Sequence, residues 1–182
     1  MKFISLPIAG AYLIDLEKRE DNRGFFARNF CEKEFSTQGL EIRWVQMNTS
    51  LTRQSGSIRG LHFQYPPKAE LKLVRCLRGA IWDVIVDIRI NSPTFGQWYG
   101  IELNERNRSM LYVPKGFAHG FQTLKSDVEM LYFHSDFHSH EHEGGLRYDD
   151  PILAIKWPLP VSEISKRDQE LPLFSELKLN EL

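Results

Sequence analysis

A chain of 182 residues matches the usual size of one domain. Hydrophobic residues make up 42% of it and aromatic residues 12%, which is enough to bury a core and excludes an intrinsically disordered protein. The 23 lysines and arginines nearly balance the 24 aspartates and glutamates. The net charge of -1 excludes a general positive field for binding nucleic acid or an anionic membrane, so neither is expected as a partner.

The N-terminal stretch and the two cysteines indicate the compartment. The apolar start of the chain is broken by Pro7 and is too short for a signal peptide, so we expect a first strand there. No apolar run approaches the ~20 residues that cross a membrane, and a cytoplasmic protein is expected. Cys31 and Cys76 are far apart and outside any C-x-x-C spacing, which predicts two buried thiols rather than a disulfide or zinc site.

Alternation of apolar and polar residues with a period of two predicts strands through most of the chain. In residues 81–89, for example, Trp82, Val84, Val86 and Ile88 fall on one face. The predicted strands, in chain order, cover residues 10–15, 42–47, 72–77, 81–89, 98–103, 109–113 and 128–134, and short helices are predicted at 32–38 and 165–169. Glycine and proline turns separate these strands without long helices, so one antiparallel barrel or sandwich domain over residues 1–182 is expected.

Two segments resemble the paired motifs of a cupin barrel. The first is the run Gly-Leu-His-Phe-Gln at 60–64, followed by Lys72, and the second is a P-x-G-x-x-H pattern that ends at His119. In the usual form of these motifs, histidines and a glutamate bind a divalent metal. Here Gln64 and Lys72 stand at two of the ligand positions, and an ammonium opposes a divalent cation while an amide is a poor substitute for imidazole. We therefore expect the barrel without a metal and without a cofactor.

A lysine and a histidine in such a cavity suggest chemistry beside a carbonyl group. A fixed cation can stabilise the oxyanion that a metal would otherwise stabilise, and an imidazole with a pKa of roughly 6.5 can remove a proton next to the carbonyl. If an acid on the opposite face returns the proton, the net reaction is an epimerisation.

Six motifs in order resemble the dTDP-4-dehydrorhamnose 3,5-epimerase family, and the resemblance runs from about residue 21 to residue 168. They are Asp-Asn-Arg-Gly-Phe-Phe at 21–26, Arg-Gly-Leu-His-Phe-Gln at 59–64, Lys-Leu-Val at 72–74, the two aspartates in 83–87, Ser-Pro-Thr-Phe-Gly at 92–96 and Pro-Lys-Gly-Phe-Ala-His-Gly-Phe at 114–121. The resemblance implies an all-β, cupin-like jelly-roll barrel with a few short helices, usually a homodimer. It also implies an isomerase that acts on a nucleotide-linked 4-keto-6-deoxyhexose in deoxysugar and surface-polysaccharide (O-antigen) synthesis.

The resemblance also assigns residue roles. It implies that His62 is the base, that Asp168 orients it, that Lys72 stabilises the enolate and that Tyr132 is the acid. The residues implied to contact the nucleotide sugar are Arg23, Gln46, Asn48, Arg59, His119, Glu143 and Arg167. Arginine suits this role because its guanidinium binds phosphate through two parallel hydrogen bonds.

Departures from the family pattern leave alternatives open. Arg28, Met47 and Thr49 replace the usual residues in or near the nucleotide part of the site, which leaves a CDP carrier as an alternative to dTDP. Phe137 replaces a tyrosine, so inversion at C3 alone is an alternative to inversion at C3 and C5. A catalytically silent protein that binds nucleotide sugars and a metal-dependent cupin oxygenase remain further alternatives.

The tract from His134 to Glu143 raises a separate metal hypothesis. It holds four histidines and three acidic residues within ten positions. A dedicated metal site needs ligands fixed by surrounding hydrogen bonds, and nothing in the tract indicates them. A solvent-exposed polar loop after a strand is therefore the favoured interpretation, with Glu143 as the member that the resemblance assigns to the substrate.

Overall fold

The computed structural model describes residues 1–178, in which thirteen short strands and two short α-helices form. The strands are β1 (Lys2–Ser5), β2 (Tyr12–Asp15), β3 (Arg19–Asp21), β4 (Gly24–Phe26), β5 (Gln46–Thr52), β6 (Ile58–Gln64), β7 (Lys72–Arg78), β8 (Ala80–Asp87), β9 (Trp98–Asn104), β10 (Met110–Val113), β11 (Phe117–Thr123), β12 (Val128–His134) and β13 (Glu143–Gly145). The α-helices are α1 (Glu32–Thr37) and α2 (Lys166–Gln169), and 3₁₀ turns form at His140–His142 and Phe174–Glu176.

Two antiparallel sheets pack face to face as a jelly-roll barrel. The larger has six strands in the order β1-β2-β10-β7-β12-β5, and the smaller has five in the order β13-β6-β11-β8-β9. Strands β3 and β4 form a separate hairpin. This arrangement confirms the all-β jelly-roll fold with a few short helices.

Alternation along the strands divides the side chains between the barrel interior and the outer faces. Strand β8 shows the rule, because Ile81 and Ile85 join the cluster between the sheets while Val84 and Val86 pack outside. The interior cluster draws Val74 and Met130 from the six-stranded sheet and Phe121 and others from the five-stranded sheet. On each strand, residues separated from these by an even number of positions therefore also point into the barrel.

Each sheet also carries an outer covering. Phe35 of α1 packs with Leu73 of β7 on the six-stranded sheet. Leu146, Leu153 and Leu177 from the C-terminal part cover the outer face of the five-stranded sheet. Strands β8, β10 and β11 in the middle of the sheets are thus buried on both faces, as a small barrel with two hydrophobic coverings requires.

Most predicted strands and both predicted helices are found within a few residues of their expected bounds. The prediction for residues 42–47 is wrong, since β5 begins only at Gln46. Ile42 and Trp44 alternate because both pack against the cluster around Phe35, in a segment outside the ladder. Cys31 is half-buried, not buried as expected, while Cys76 is buried.

In residues 1–178, no helix has the length and apolar character needed to cross a bilayer.

Candidate active site

A cavity of about 510 Å³ opens between the two sheets. Eight of the eleven predicted site residues line it, namely His62, Lys72, Tyr132, Asp168, Asn48, Arg59, His119 and Arg167. Arg23, Gln46 and Glu143 are not among its lining residues. The structure therefore brings together the four predicted catalytic residues and four of the seven predicted substrate contacts.

The two walls of the cavity carry different groups. His62 and His119 lie on β6 and β11 of the five-stranded sheet, where they are direct partners across the ladder. Lys72 and Tyr132 lie on β7 and β12 of the six-stranded sheet. Each occupies an interior position, as His62 shows, because its neighbours Leu61 and Phe63 pack in the outer cluster.

His62 forms a hydrogen-bonded pair with Asp168. The ring Nε2 lies 2.8 Å from Asp168 Oδ1. If Nε2–H donates to the carboxylate, the neutral ring keeps a lone pair on Nδ1, for which the structure of residues 1–178 gives no protein partner. A carboxylate on one ring nitrogen fixes the tautomer and stabilises the imidazolium that forms when the other nitrogen takes a proton.

Local structure holds Asp168 in place. It lies in α2, whose first turn is capped by the Ser165 hydroxyl accepting the Asp168 backbone N–H at 3.1 Å. Its Oδ2 accepts the Gly60 N–H at 3.1 Å. Burial alone would raise the pKa of Asp168, but the His62 ring and the Gly60 N–H outweigh burial and hold that pKa below its usual value. The carboxylate is therefore ionised at neutral pH.

Tyr132 presents a phenol on the opposite wall. Its hydroxyl is 2.9 Å from Ser50 Oγ on β5. Burial raises the pKa of Tyr132 to about 12, although the Ser50 hydrogen bond acts in the opposite direction. The phenol consequently keeps its proton at neutral pH and can donate it into the cavity.

Lys72 is buried and has an anionic neighbour that sequence reasoning missed. Its Nζ lies 3.3 Å from Glu70 Oε1 and 3.2 Å from the His62 carbonyl oxygen, to which it donates. Glu70 also accepts from His134 Nδ1 at 2.7 Å. In the sequence, Glu70 and Lys72 are two residues apart. This spacing in an extended segment indicates that both side chains share one face.

A second buried imidazole pair lies behind the cavity. His119 Nε2 is 3.0 Å and 3.1 Å from the two carboxylate oxygens of Asp83 on β8. Complete burial raises the pKa of Asp83, while the His119 ring and the Lys72 ammonium act to lower it. Asp83 is one of the two aspartates of the motif at 83–87, for which the family resemblance implied no role.

Gln64, at one of the ligand positions of a cupin, is committed to the backbone of the protein. Its amide nitrogen donates to the Lys68 and Phe137 carbonyls at 2.9 and 3.3 Å, and its Oε1 accepts the Ser139 N–H at 2.6 Å. The side chain therefore fastens the loop after β12, and neither it nor the Lys72 ammonium supplies a metal ligand.

Three polar residues on the cavity wall suit an anionic ligand. Arg59 donates to Thr52 Oγ1 at 2.8 Å, and Arg167 donates to Glu143 Oε2 at 2.9 Å. The Asn48 amide lies 3.4 Å from His134 Nε2. The two guanidinium groups provide the local positive charge that a chain of nearly zero net charge needs to bind a phosphate.

Three predicted contacts lie elsewhere. Arg23 is exposed on the β3–β4 hairpin and pairs with Asp21. Gln46, at the start of β5, accepts the His138 backbone N–H at 3.2 Å. Glu143, on β13, reaches the cavity only indirectly through Arg167.

The histidine-rich tract does not form one loop. His134 belongs to β12, is largely buried and lines the cavity, so the expectation of an exposed loop is wrong for this residue. His138 and His140 are exposed and both hydrogen-bond to Glu143. Within residues 1–178, no group of three or more histidine, cysteine, aspartate or glutamate side chains is arranged to hold a metal ion.

The chain is similar to known proteins both in sequence and in fold. The family model described as dTDP-4-dehydrorhamnose 3,5-epimerase matches residues 5–176. A protein of that name from Sinorhizobium fredii is 46% identical over 181 residues, which cover 99% of this chain and 93% of the relative.

Solved structures give the same result. The crystal structure of dTDP-4-dehydrorhamnose 3,5-epimerase from Elizabethkingia anophelis superposes with a TM-score of 0.93 at 41% identity, covering 96% of this chain and 97% of the other. The Legionella pneumophila dTDP-6-deoxy-D-glucose-3,5-epimerase, solved in complex with dTDP-4-keto-L-rhamnose, has a TM-score of 0.92 at 38% identity. The match covers 100% of this chain and 96% of the Legionella chain.

Proposed function

The chain belongs to the dTDP-4-dehydrorhamnose 3,5-epimerase family of isomerases, and on this premise we propose that it inverts C3 and C5 of a dTDP-linked 4-keto-6-deoxyhexose. The names of the relatives favour a dTDP carrier and double inversion over a CDP carrier, inversion at C3 alone or a silent binding protein. The product would enter deoxysugar and surface-polysaccharide synthesis. The observation that carries the proposal is the placement of a histidine–aspartate pair and a tyrosine on facing walls of one cavity.

Proton removal is the first step of the proposed reaction. The Nδ1 lone pair of His62 takes the proton from the carbon beside the C4 carbonyl, and the electrons of that C–H bond move to form the enolate. Asp168, 2.8 Å from Nε2, stabilises the resulting imidazolium. The ammonium of Lys72 stabilises the negative charge that develops on the carbonyl oxygen.

Proton return completes the inversion. The Tyr132 hydroxyl donates its proton to the opposite face of the enolate carbon, and the carbonyl re-forms. The two groups lie on different sheets, so the faces of a flat enolate held between them meet different side chains. His62 then releases its proton to water and the Tyr132 oxygen regains one from water, which restores both groups. The same cycle at the carbon on the other side of the carbonyl gives the second inversion.

Substrate binding is assigned to the walls of the cavity. We expect Arg59 and Arg167 to bind the diphosphate and Asn48 and His119 to contact the sugar, because these four line the cavity. Arg23, Gln46 and Glu143 remain predicted substrate contacts that the wall of this cavity does not include.

One experiment tests the proposed reaction. The protein is incubated in deuterated water with dTDP-4-keto-6-deoxyglucose, and NMR measures deuterium and configuration at C3 and C5. We expect deuterium at both carbons and the 4-keto-L-rhamnose configuration. The absence of deuterium at C3 with both dTDP- and CDP-linked substrates would contradict the proposal, and deuterium only with the CDP sugar would reassign the carrier.

We also propose a homodimer that uses the edge of the six-stranded sheet. Met47 and Leu51 alternate along the edge strand β5 and are 63% and 45% exposed. Exposed apolar side chains on an unpaired edge favour association with a second copy. Light scattering after size exclusion should give a dimer, and Met47→Glu with Leu51→Glu should give a monomer. Ile152→Glu, at a comparably exposed residue outside the sheets, serves as the control.

A further inference from the structure

The carboxylate–imidazole pair of Glu70 and His134 lies beside Lys72 and Tyr132 and has no part in the mechanism above. Glu70 accepts from His134 Nδ1 at 2.7 Å and contacts Lys72 Nζ at 3.3 Å. The side chains of Glu70 and Lys72 are each 9% exposed, and that of His134 is 12% exposed. A single buried carboxylate therefore joins the lysine of β7 to a histidine of β12.

His134 extends this connection to two further groups of the cavity. Its ring lies nearly parallel to that of Tyr132, with 25° between the planes and 6.3 Å between the centroids. Because Nδ1–H donates to Glu70, the Nε2 lone pair of the neutral ring faces the Asn48 amide nitrogen at 3.4 Å. One side of the Tyr132 ring is therefore limited by an imidazole that Glu70 holds.

We propose that Glu70 and His134 are positioning residues, with Glu70 fixing the Lys72 ammonium and His134 fixing the Tyr132 phenol. The proposal deepens the function proposed above and rests on it. It explains why a carboxylate is buried beside a lysine that must itself stay charged, since breaking or moving such a pair leaves an unpaired buried charge. It also explains why the carboxylate stays ionised, because His134 and Lys72 outweigh the effect of burial and lower the pKa of Glu70.

The charges around Lys72 show why Glu70 is the group that positions it. The ammonium has the His62 carbonyl oxygen at 3.2 Å and Glu70 at 3.3 Å as its contacts. Asp83, on the facing sheet, affects the lysine only through its longer-range charge and is itself hydrogen-bonded to His119. Glu70 alone, among the carboxylates that the described residues place near Lys72, contacts it directly.

Loss of position has two distinct signatures. If Lys72 moves, the enolate is less stable and every proton removal slows. If Tyr132 moves, the proton on His62 exchanges with the deuterated solvent and His62 returns a deuteron to the same face, which gives deuterium exchange without inversion. The ratio of exchange with retention to exchange with inversion at one carbon does not depend on the fraction of folded enzyme, so a general loss of stability leaves it unchanged.

The experiment measures this ratio and the turnover rate in deuterated water with dTDP-4-keto-6-deoxyglucose. The variants are Glu70→Gln, His134→Ala and their combination. Asp136→Asn is the matched control, because Asp136 forms a lysine–carboxylate contact of the same 3.3 Å length with Lys68, outside the cavity.

We expect Glu70→Gln to lower kcat at least tenfold, with KM changed by no more than about twofold, because a displaced lysine acts on the transition state. Both single variants should raise the ratio of retention to inversion, and the double variant should show less than the product of the single effects. Asp136→Asn should match the wild type in both measurements.

Three outcomes would overturn the inference. Rates within about twofold of the wild type with an unchanged ratio in both single variants would show that neither residue positions a reacting group. A fall in kcat with an unchanged ratio in the well-folded His134→Ala variant would remove the link to Tyr132. A wild-type protein without any exchange would overturn the proposed function, and this inference with it.

Discussion

At the scale of single residues, the His62–Asp168 pair is the feature that supports the proposed proton removal. Asp168 is held from three sides, by the His62 ring, the Gly60 N–H and the Ser165 cap of α2. A carboxylate fixed in this way sets the ring tautomer before any substrate binds. The negative charge of Asp168, and not merely its shape, is what the imidazolium requires.

Asp168→Asn should therefore lower kcat by about 10²-fold or more, because an amide keeps the volume but cannot stabilise the imidazolium. The rate of deuterium incorporation at C3 measures the effect. Asp149→Asn, which breaks an exposed pair with Arg147, is the control and should leave the rate unchanged. A rate for Asp168→Asn within about twofold of the wild type would show that the pair does not act in proton removal.

Tyr132→Phe should separate the two halves of the reaction. His62 and Lys72 remain in place, so deuterium should still enter at C3, whereas the inverted product should fall by about 10²-fold because no phenol returns the proton. NMR of the recovered sugar distinguishes exchange with retention from inversion. Tyr148→Phe, at a tyrosine that does not line the cavity, is the control. Unchanged inversion in Tyr132→Phe would assign the acid to another group.

The family resemblance implied His62, Lys72, Tyr132 and Asp168 as site residues, and the structure places all four on the wall of one cavity. Only His62 and Lys72 stand in one of the six motifs, and the roles of all four stay predictions. The importance of Glu70 could not be read in this way, because its partner His134 is 64 positions away and meets it only through the pairing of β7 with β12. Contacts of this kind depend on strand register, which a single sequence does not specify.

At the scale of elements, strands β6 and β11 approach each other closely at Gly60, next to the residues with which they line the cavity. A Cβ added at Gly60 would lie 2.7 Å from the Gly120 Cα and 2.7 Å from the His119 carbonyl oxygen. The register between these strands shifts in the same place, between His119 and Phe121. Glycine at 60 therefore permits the approach of two strands that carry His62 and His119.

Gly60→Ala should destabilise the fold more than Gly24→Ala. Both glycines have positive φ, 112° and 131°, so both variants strain the backbone, but only Gly60 has no space for a Cβ. We expect an additional loss of about 1–3 kcal/mol in the free energy of unfolding for Gly60→Ala, measured by urea denaturation. Equal losses in the two variants would show that backbone strain alone accounts for the glycine.

The strand predictions were correct where residues that alternate between apolar and polar also pair with a neighbouring strand. They were wrong where such residues have no neighbouring strand. Residues 128–134 form β12 with the predicted bounds, since their alternate side chains enter the interior. Ile42 and Trp44 alternate equally well but pack on α1 without a partner strand. The hairpin of β3 and β4 is exposed along its whole length, so no hydrophobic pattern marked it.

At the scale of the whole molecule, Asp87 ties distant parts of the barrel together. Its buried carboxylate accepts hydrogen bonds from Arg89, Ser92 and Thr94, and Arg89 also donates to the Ala9 carbonyl at 2.7 Å. Burial would raise the pKa of Asp87, but these donors outweigh burial and lower it. The ion pair of Asp87 and Arg89 thus connects the end of β8 with the loop that follows it and with the N-terminal loop.

The lowered pKa gives a definite dependence of stability on pH. The ionised Asp87 stabilises the folded state above the usual carboxyl pKa of 3.8, and this contribution is lost as the pH falls through the lower pKa of the folded state. Asp87→Asn should lose about 3 kcal/mol of unfolding free energy at pH 7, a deficit that stays constant down to about pH 5 and shrinks from there towards pH 3. Urea denaturation at several pH values measures both.

The control for this prediction is Glu141→Gln, at an exposed carboxylate for which no ion pair is found in residues 1–178. It should leave the unfolding free energy at pH 7 within about 0.5 kcal/mol of the wild type. A deficit in Asp87→Asn that stays constant from pH 7 to pH 3 would show that shape and not ionisation accounts for the role of Asp87.

In the proposed reaction, the two sheets of the barrel determine the stereochemistry, because the base and the acid lie on different sheets. A ring bound in the cavity turns one face to the strand of His62 and the other to the strand of Tyr132. The handedness of the product is then set by which way up the sugar lies between the layers. An epimer that binds upside down, with its C–H bond again facing His62, would be processed by the same two side chains to the mirror configuration at that carbon, without any change in the protein.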